Sequence, residues 1–247
     1  MALDLEGIVL KTINYGDHHK ILRVLSDRYG IIGIFVTNAS KPRSRFGALA
    51  QPMILAGFSL KENSNPENGL HFLYAGEVEN YFHRLKMDYE NIAYFYHMTE
   101  LLVKGGIEPQ SGPYVFLLLK KTLLLGEEGV PMQTLALAFM LKFLSFLGIK
   151  PSLDCCGTCG ATEKIAAASI SQGGLVCVQC HRTGEKIILG TEEIPYLRAL
   201  EQAEPDRLRS ADIPPKILDK LELFIEGWYE SYSGLHLKSA KILKDFR

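Results

Sequence analysis

Residues 7–37, "GIVLKTINYGDHHKILRVLSDRYGIIGIFVT", contain three short runs in which apolar and polar residues partly alternate. Such alternation indicates half-buried β-strands, because successive side chains of a strand point to opposite faces. The break "SDRYG" between the second and third runs is rich in residues that favour turns. The stretch therefore predicts three consecutive strands.

Two further runs extend this pattern, "MILAGFSL" at 53–60 and "LHFLYAGEV" at 70–78, and the turn-rich segment "ENSNPENG" at 62–69 separates them. Five short strands within the first 80 residues are typical of a small closed or nearly closed barrel. We expect an OB-fold, with an SH3-like barrel as the alternative.

Beyond Tyr81 the apolar residues recur at helical spacing. Helices are predicted at residues 91–105, 112–126, 131–148, 191–203 and 214–234. The predicted fold class is α+β, with an OB-fold domain at 1–80, a helical domain at 81–150 and 186–247, and an inserted cysteine-rich element at 151–185.

Composition favours an ordinary globular protein, since 47% of the 247 residues are apolar and 22% are charged. The N-terminus "MALDLEGIVLK" carries acidic residues where a signal peptide would carry basic ones, so we expect a cytoplasmic protein. The most apolar run, "LALAFMLKFLSFLG", is interrupted by Lys142 and is shorter than the roughly 20 residues that cross a bilayer. It predicts a buried helix and no membrane partner.

The charge is unevenly placed along a chain whose net charge is −1. Residues 1–50 hold seven basic and four acidic side chains, whereas residues 51–100 hold three basic and seven acidic ones. Such asymmetry indicates an N-terminal surface that faces a polyanion.

The stretch "TNASKPRSRFGAL" follows the third predicted strand and carries Lys41, Arg43 and Arg45 at a spacing of two. In an extended loop, this spacing would place three cations on one side, where they could follow a phosphate backbone. The alternative is a solvated loop without a ligand.

All five cysteines lie between residues 155 and 180. Cys156 and Cys159 form one C-x-x-C pair, Cys177 and Cys180 form another, and 17 residues separate the pairs, as in structural zinc sites. Four thiolates would leave no open coordination position, so the expected role is structural, and Cys155 is the expected spare. Buried or redox-active thiols are the alternative.

Signs of catalysis are weak. The sequence has no G-x-x-x-x-G-K-[ST] motif for ATP and no paired carboxylates that would nominate a general acid and base. His18 and His19 have no nucleophile in an evident motif nearby. We therefore expect a protein that is not an enzyme.

Taken in order, several motifs resemble the bacterial RecO recombination-mediator family. They are the segment from "EGIVLKTINYGDHHK" to "PMILAGFSL", then "GEVENYF", "PSLDCCGTCG", "GGLVCVQC" and "LHLKSAKIL". The resemblance implies an N-terminal OB-fold, a helical domain and a four-cysteine zinc element. It also implies ATP-independent binding of single- and double-stranded DNA, annealing of complementary strands, and, with RecR, loading of RecA onto SSB-coated single strands.

The resemblance also implies site residues and a location beside the bacterial nucleoid. The implied zinc ligands are Cys156, Cys159, Cys177 and Cys180. The implied basic surface comprises Lys11, Lys20, Arg23, Lys41, Arg43 and Arg45.

Aromatic side chains are further candidates, because OB-folds stack unpaired bases on such rings. The barrel residues Tyr15, Tyr29, Phe35 and Phe46 are candidates, with core packing as the alternative, which we favour for Phe35. Two other functions remain open: a zinc-stabilised scaffold for protein partners with little DNA affinity, and a thiol enzyme or metalloenzyme. A thiol enzyme would need a reactive cysteine of low pKa that is free of metal.

Overall fold

Five strands form the N-terminal part of the computed structural model, which describes residues 3–61, 70–182 and 188–244. They are β1 (Leu3–Tyr15), β2 (His19–Ser26), β3 (Gly30–Val36), β4 (Leu55–Leu60) and β5 (Leu70–Asn80). All five predicted runs are strands. The predicted turn at 62–69 lies outside the described residues.

These strands close into a barrel in the order β1-β2-β3-β5-β4, with β4 pairing back to β1. Every pair is antiparallel except β3 with β5. This order, with its parallel β3 and β5 pair, is that of an OB-fold, so the predicted fold class is confirmed and the SH3-like alternative is wrong.

The long strand β1 closes the barrel because its two halves pair with different neighbours. Its first half pairs with β4 and its second half pairs with β2, and both ladders include Gly7. A Cβ atom at Gly7 would lie 2.4 Å from the Cγ1 atom of Val24, so only glycine lets β1 approach β2 this closely.

The barrel interior is filled by one face of each strand. Val24 on β2 and Ile32 and Ile34 on β3 are buried in a single cluster with side chains from the other strands. Phe46, Leu49 and Ala50 of the β3–β4 connection join the same cluster. The connection therefore packs onto the barrel core rather than extending into solvent.

Helices make up most of the remaining chain. They are α1 (His83–Lys86), α2 (Tyr89–Gly105), α3 (Gly112–Glu128), α4 (Met132–Phe146), α5 (Ile194–Gln202), α6 (Pro215–Tyr232) and α7 (Ser239–Lys244), with a 3₁₀ helix at Pro205–Ser210. All five predicted helices are present, with ends that shift by a few residues. The Asp88 side chain caps α2 by accepting a hydrogen bond from the Glu90 N–H group.

The most apolar helix, α4, is buried along most of its length, as predicted. Its neighbour α6 packs on it, and the Tyr229 hydroxyl donates a hydrogen bond of 2.8 Å to the Met140 carbonyl oxygen. Among the described residues, no helix combines the length and the apolarity required to span a bilayer.

The cysteine-rich segment contains a small sheet that the sequence patterns did not predict. Strands β6 (Ile165–Ser169), β7 (Gly174–Cys177) and β8 (Leu189–Gly190) are antiparallel in the order β7-β6-β8. Because β8 lies beyond residue 185, this sheet includes residues outside the predicted cysteine-rich element.

The chain divides into two compact units, residues 1–127 and 128–247. The first holds the barrel with α1, α2 and nearly all of α3, and the second holds the remaining helices and the small sheet. The finer division at residues 80, 150 and 185 stays a prediction.

Candidate metal centre and nucleic-acid interface

Four of the five cysteines converge beside the small sheet. The Sγ atoms of Cys156, Cys159, Cys177 and Cys180 all lie within 4.8 Å of one another. The Sγ atoms of Cys159 and Cys177 are 3.7 Å apart. These four side chains could hold one metal ion.

Each C-x-x-C pair is a tight turn closed by a backbone hydrogen bond. The Gly160 N–H group donates to the Cys156 carbonyl oxygen at 2.8 Å, and the His181 N–H group donates to the Cys177 carbonyl oxygen at 2.9 Å. Gly160 has a φ of 76°, which favours glycine. Gly157 is required for another reason, since its Cβ atom would lie 2.9 Å from the Gln172 carbonyl oxygen.

The spacing of the sulfur atoms fits a tetrahedral ion. Bonds of about 2.3 Å from zinc to four thiolates would place the sulfurs about 3.8 Å apart, close to the Cys159 to Cys177 distance. A donor set of four thiols suits a soft or borderline metal rather than magnesium or calcium.

The surrounding backbone favours ionised thiols at two positions. Burial opposes ionisation of Cys156, but hydrogen bonds from the backbone of Cys177, Cys159 and Thr158 lower its pKa to about 6. Hydrogen bonds from the backbone of Cys180 and Gln179 lower the pKa of Cys177, against the effect of burial.

Cys180 behaves in the opposite way. Hydrogen bonds of its thiol with Cys159 and Cys177 raise its pKa to about 12. Metal binding at neutral pH must therefore displace the Cys180 proton.

Cys155 lies outside this cluster although it is adjacent to Cys156. Its Sγ atom is 3.7 Å from the Ser152 Oγ atom, and the Ser152 hydroxyl also donates to the Cys155 carbonyl oxygen at 3.0 Å. Cys155 therefore contacts Ser152 and is not part of the group of four thiols.

Two side chains that belong to no recognisable sequence motif support the cysteine cluster. The Gln172 Nε2 atom donates to the Cys180 carbonyl oxygen at 2.9 Å and to the Thr158 Oγ1 atom at 3.3 Å, so Gln172 links the two turns. On α5, the Arg198 Nε atom donates to the Leu153 carbonyl oxygen at 2.7 Å. Arg198 thereby fixes the chain just before the first cysteine.

In the first unit, the outer face of β1, β2, β3 and β5 is the second candidate site, called the barrel face below. It comprises Lys11, Ile13, Tyr15, His19, Ile21, Arg23, Phe35, Leu70, Phe72 and Tyr74. These residues alternate along each strand with side chains that point into the barrel, so they share one surface.

Cations occupy one end of the barrel face. Lys11 on β1 and Arg23 on β2 are direct cross-strand partners, and both are exposed. Like charges at such positions repel each other and destabilise the sheet. Neither residue forms an ion pair within the described part of the chain, so an anion bound between them would relieve the repulsion.

Aromatic rings occupy the centre and the other end. The Phe35 ring centroid lies 5.6 Å from that of Tyr15, 5.4 Å from that of His19 and 5.4 Å from that of Phe72. Tyr15 is 56% exposed, Phe72 46% and Tyr74 61%. This is a large amount of aromatic surface to leave in water, and it indicates a binding surface.

The four aromatic residues predicted as base-stacking candidates lie in two different places in the structure. Tyr15 and Phe35 lie on the barrel face, so the core position favoured for Phe35 is wrong. Phe46 is buried in the barrel core and Tyr29 packs against it. Phe72 and Tyr74 were missed, although their alternation with His71 and Leu73 in "LHFLY" was a visible signal.

The basic loop, defined as residues 37–49, is not extended. Consecutive turns run through it, with the Ser44 N–H group donating to the Lys41 carbonyl oxygen at 3.0 Å and the Gly47 N–H group donating to the Ser44 carbonyl oxygen at 3.1 Å. Lys41, Arg43 and Arg45 are all exposed. The extended conformation predicted for this loop is therefore wrong, and phosphate binding by its three cations stays a prediction.

Hydrogen bonds join the start of this loop to the aromatic end of the barrel face. The Asn38 N–H group donates to the His19 Nδ1 atom at 3.2 Å, and the Ser40 N–H group donates to the His18 carbonyl oxygen at 3.1 Å. Lys20, the remaining candidate cation, is half-buried. Because the side chains of β2 alternate between two faces, Lys20 lies on the face opposite to that of Arg23 and so off the barrel face.

Comparisons with known proteins agree with this architecture. A family model described as "Recombination protein O N terminal" matches residues 1–82, and one described as "Recombination protein O C terminal" matches residues 86–241.

Full-length relatives give the same result. A protein named DNA repair protein RecO from Bacillus pumilus is 33% identical over 244 residues, covering 98% of this chain and 94% of the relative. Proteins of the same name from Halalkalibacterium halodurans and Listeria monocytogenes are 31% and 33% identical, covering 96% and 97% of this chain and 92% and 93% of the relatives. The chain therefore belongs to the RecO family of bacterial DNA repair proteins.

Proposed function

We propose that this protein is a recombination mediator that binds single- and double-stranded DNA and anneals complementary strands without ATP. With RecR, it helps to load RecA onto single strands coated by SSB. Family membership supports a role in DNA repair. The observation that carries DNA binding is the barrel face, where the like-charged pair Lys11 and Arg23 adjoins exposed aromatic rings.

The charges and the rings of the barrel face suit the two parts of a nucleotide. Lysine and arginine neutralise phosphates and release counterions, which gives affinity without sequence preference. Exposed rings stack on bases whatever their identity. A mediator that must act on any damaged site needs this lack of sequence preference.

Annealing is proposed to be a binding activity rather than catalysis. The sequence contains no phosphate-binding loop of the Walker type. ATP and magnesium should therefore give no hydrolysis above background. A turnover that survives repurification and is lost in a point variant of this chain would contradict the proposal.

The cysteine cluster is proposed to hold one structural zinc ion per chain through Cys156, Cys159, Cys177 and Cys180. Zinc would cross-link the two turns and, with four protein ligands, would leave no position for water or substrate. The sulfur spacing and the thiolate-favouring backbone support this ion.

The proposed location is the bacterial cytoplasm, at the nucleoid, where DNA and the recombination proteins are found. The proposed protein partners are RecR, SSB and, indirectly, RecA. A membrane has no part in the proposal.

Fluorescence anisotropy with labelled single-stranded DNA at two salt concentrations tests the DNA-binding proposal. If Lys11 and Arg23 each neutralise one phosphate, the change of both to Ala should reduce the slope of log K against log salt by about 1.4. The matched control removes two exposed cations of the second unit, Lys216 and Arg207, and should leave the slope unchanged.

The alternative scaffold function would give a different result. A scaffold would bind a protein partner with little dependence on salt and would show negligible affinity for DNA. No DNA binding by the zinc-loaded protein at low salt would overturn the proposal in favour of this alternative.

A further inference from the structure

We infer that the barrel face and the basic loop serve different forms of DNA. The barrel face takes the unpaired bases of a single strand, whereas the basic loop takes the phosphates of either a single strand or a duplex. This inference rests on the proposed function and assigns a ligand to each part of the site.

The barrel face offers ring surface that only unpaired bases can use. Tyr15 and Phe72 flank Phe35 and expose about half of their surfaces, so bases can pack on them. In a duplex, both faces of each base are already stacked on neighbouring bases. Stacking on this surface is therefore open to a single strand and closed to an intact duplex.

The cations of the barrel face fit the backbone of that same strand. Ile13 and Ile21 are cross-strand partners, and their row continues across the sheet to Phe35 and Phe72. Lys11 and Arg23 form the neighbouring row on the same face of the sheet. Phosphates bound at the charged end would therefore belong to nucleotides next to those stacked on the rings. This charge complementarity favours DNA over an apolar protein surface as the occupant.

The basic loop offers charge without ring surface. Its one aromatic residue, Phe46, is only 7% exposed and is buried in the barrel core. The Arg45 guanidinium carbon lies 4.4 Å from the Phe46 ring centroid and so covers part of the ring that remains. Lys41, Arg43 and Arg45 can neutralise phosphates, which are present in both single strands and duplexes.

The two surfaces are continuous. The bonds from Asn38 to His19 and from Ser40 to His18 hold the start of the basic loop beside the aromatic end of the barrel face. A strand whose bases lie on the barrel face can therefore continue past the loop, and a duplex can bind at the loop alone.

The test compares three proteins on three DNAs of equal length: single-stranded, double-stranded, and single-stranded with abasic sites throughout its centre. The first variant changes Tyr15 and Phe72 to Ser, and the second changes Lys41, Arg43 and Arg45 to Ala. Tyr89→Ser, on the first residue of α2, is the matched control because this ring is exposed but lies off the barrel face. Circular dichroism verifies that each variant is folded.

The double aromatic variant should lose about 5- to 150-fold in affinity for single strands per lost base contact, and should bind duplex within about twofold of the unmodified protein. The unmodified protein should bind the abasic strand more weakly than the ordinary single strand by a similar factor. This comparison needs no substitution in the protein. The loop variant should weaken binding to single strands and duplex alike and reduce the salt slope for both.

Equal losses on single strands and duplex in the aromatic variant, or undiminished binding of the abasic strand, would overturn the inference. These outcomes require that the unmodified protein binds DNA, so they differ from failure of the proposed function, in which it binds none of the three.

Discussion

Lys11 and Arg23 lie directly opposite each other on adjacent strands of the barrel, with both side chains exposed. A cross-strand pair of like charges lowers the stability of the free protein. Its place beside exposed aromatic rings suggests that stability is sacrificed here for binding, as in many functional sites.

Arg23→Gln tests this trade-off. Removing one charge should raise the free energy of unfolding by about 0.2–1 kcal/mol, because the repulsion disappears. The same change should weaken binding to single-stranded DNA. Urea denaturation and anisotropy titration measure the two effects, and Lys216→Gln, an exposed cation on α6, is the control. A variant that is less stable and binds DNA as before would contradict the prediction.

The barrel was predictable from the sequence because its strands are marked by alternation and turn residues. The face on which Phe35 lies was not. In "IIGIFV", both faces of β3 are apolar, so alternation separates Ile32, Ile34 and Val36 from Phe35 without indicating which set is inside. Closure of the barrel decides this, since the first set belongs to the buried core cluster and Phe35 packs against rings of β1, β2 and β5.

The conformation of the basic loop could not be predicted from the spacing of its cations. Asn38 and Arg43 adopt positive φ angles of 54° and 62°, and the segment folds back so that Phe46 and Leu49 reach the barrel core. These tertiary contacts override the extended conformation that alternating cations suggest.

Metal content should distinguish the adjacent cysteines Cys155 and Cys156. The Cys156 Sγ atom lies in the four-sulfur cluster, whereas the Cys155 Sγ atom is 3.7 Å from Ser152 Oγ. Cys155→Ser, purified under reducing conditions, should retain about one zinc per chain, and Cys156→Ser should retain clearly less, because three ligands bind zinc more weakly than four. The reverse pattern would show that the ligand is Cys155. A lack of zinc in the unmodified protein would contradict the proposed cofactor.

Gln172→Ala should weaken metal binding although Gln172 is not a ligand. Its amide donates to the Cys180 carbonyl oxygen and to Thr158 Oγ1, and so braces both cysteine turns. Loss of such outer contacts typically lowers metal affinity by about 10- to 100-fold. Competition with a chromophoric chelator measures the affinity, and Gln202→Ala, at the exposed end of α5, is the control. Equal affinities of the two variants would show that the hydrogen bonds of Gln172 do not support the site.

The cysteine pairs were visible in the sequence because their spacing is set by coordination geometry. Gln172 and Arg198 were not visible in this way. Gln172 reaches the cysteine turns from a hairpin turn, and Arg198 reaches the Leu153 carbonyl oxygen from α5, at sequence separations that follow no motif. Supporting contacts of this kind depend on the tertiary fold.

The ion pair of Glu193 and Lys220 should make the second unit sensitive to acid. The Glu193 carboxylate accepts hydrogen bonds from Lys220 and from the Gly190 N–H group of β8, which pairs with β6 of the small sheet. The hydrogen bond from Lys220, against burial, lowers the pKa of Glu193 below its usual value of 4.5. A carboxyl group whose pKa is lowered by folding stabilises the folded state above its usual pKa, and this contribution is lost as the pH falls through the folded value.

Glu193→Gln should therefore reduce stability at pH 7, where the carboxylate is charged and paired. The difference from the unmodified protein should shrink as the pH falls below about 4.5, because the native carboxyl group is then progressively protonated as well. Thermal unfolding of both proteins between pH 3.5 and 7 measures this convergence. Glu192→Gln, the exposed neighbour, is the control and should show no comparable change. A Glu193→Gln deficit that stays constant across this range would mean that the side chain acts through its packing and not through its charge.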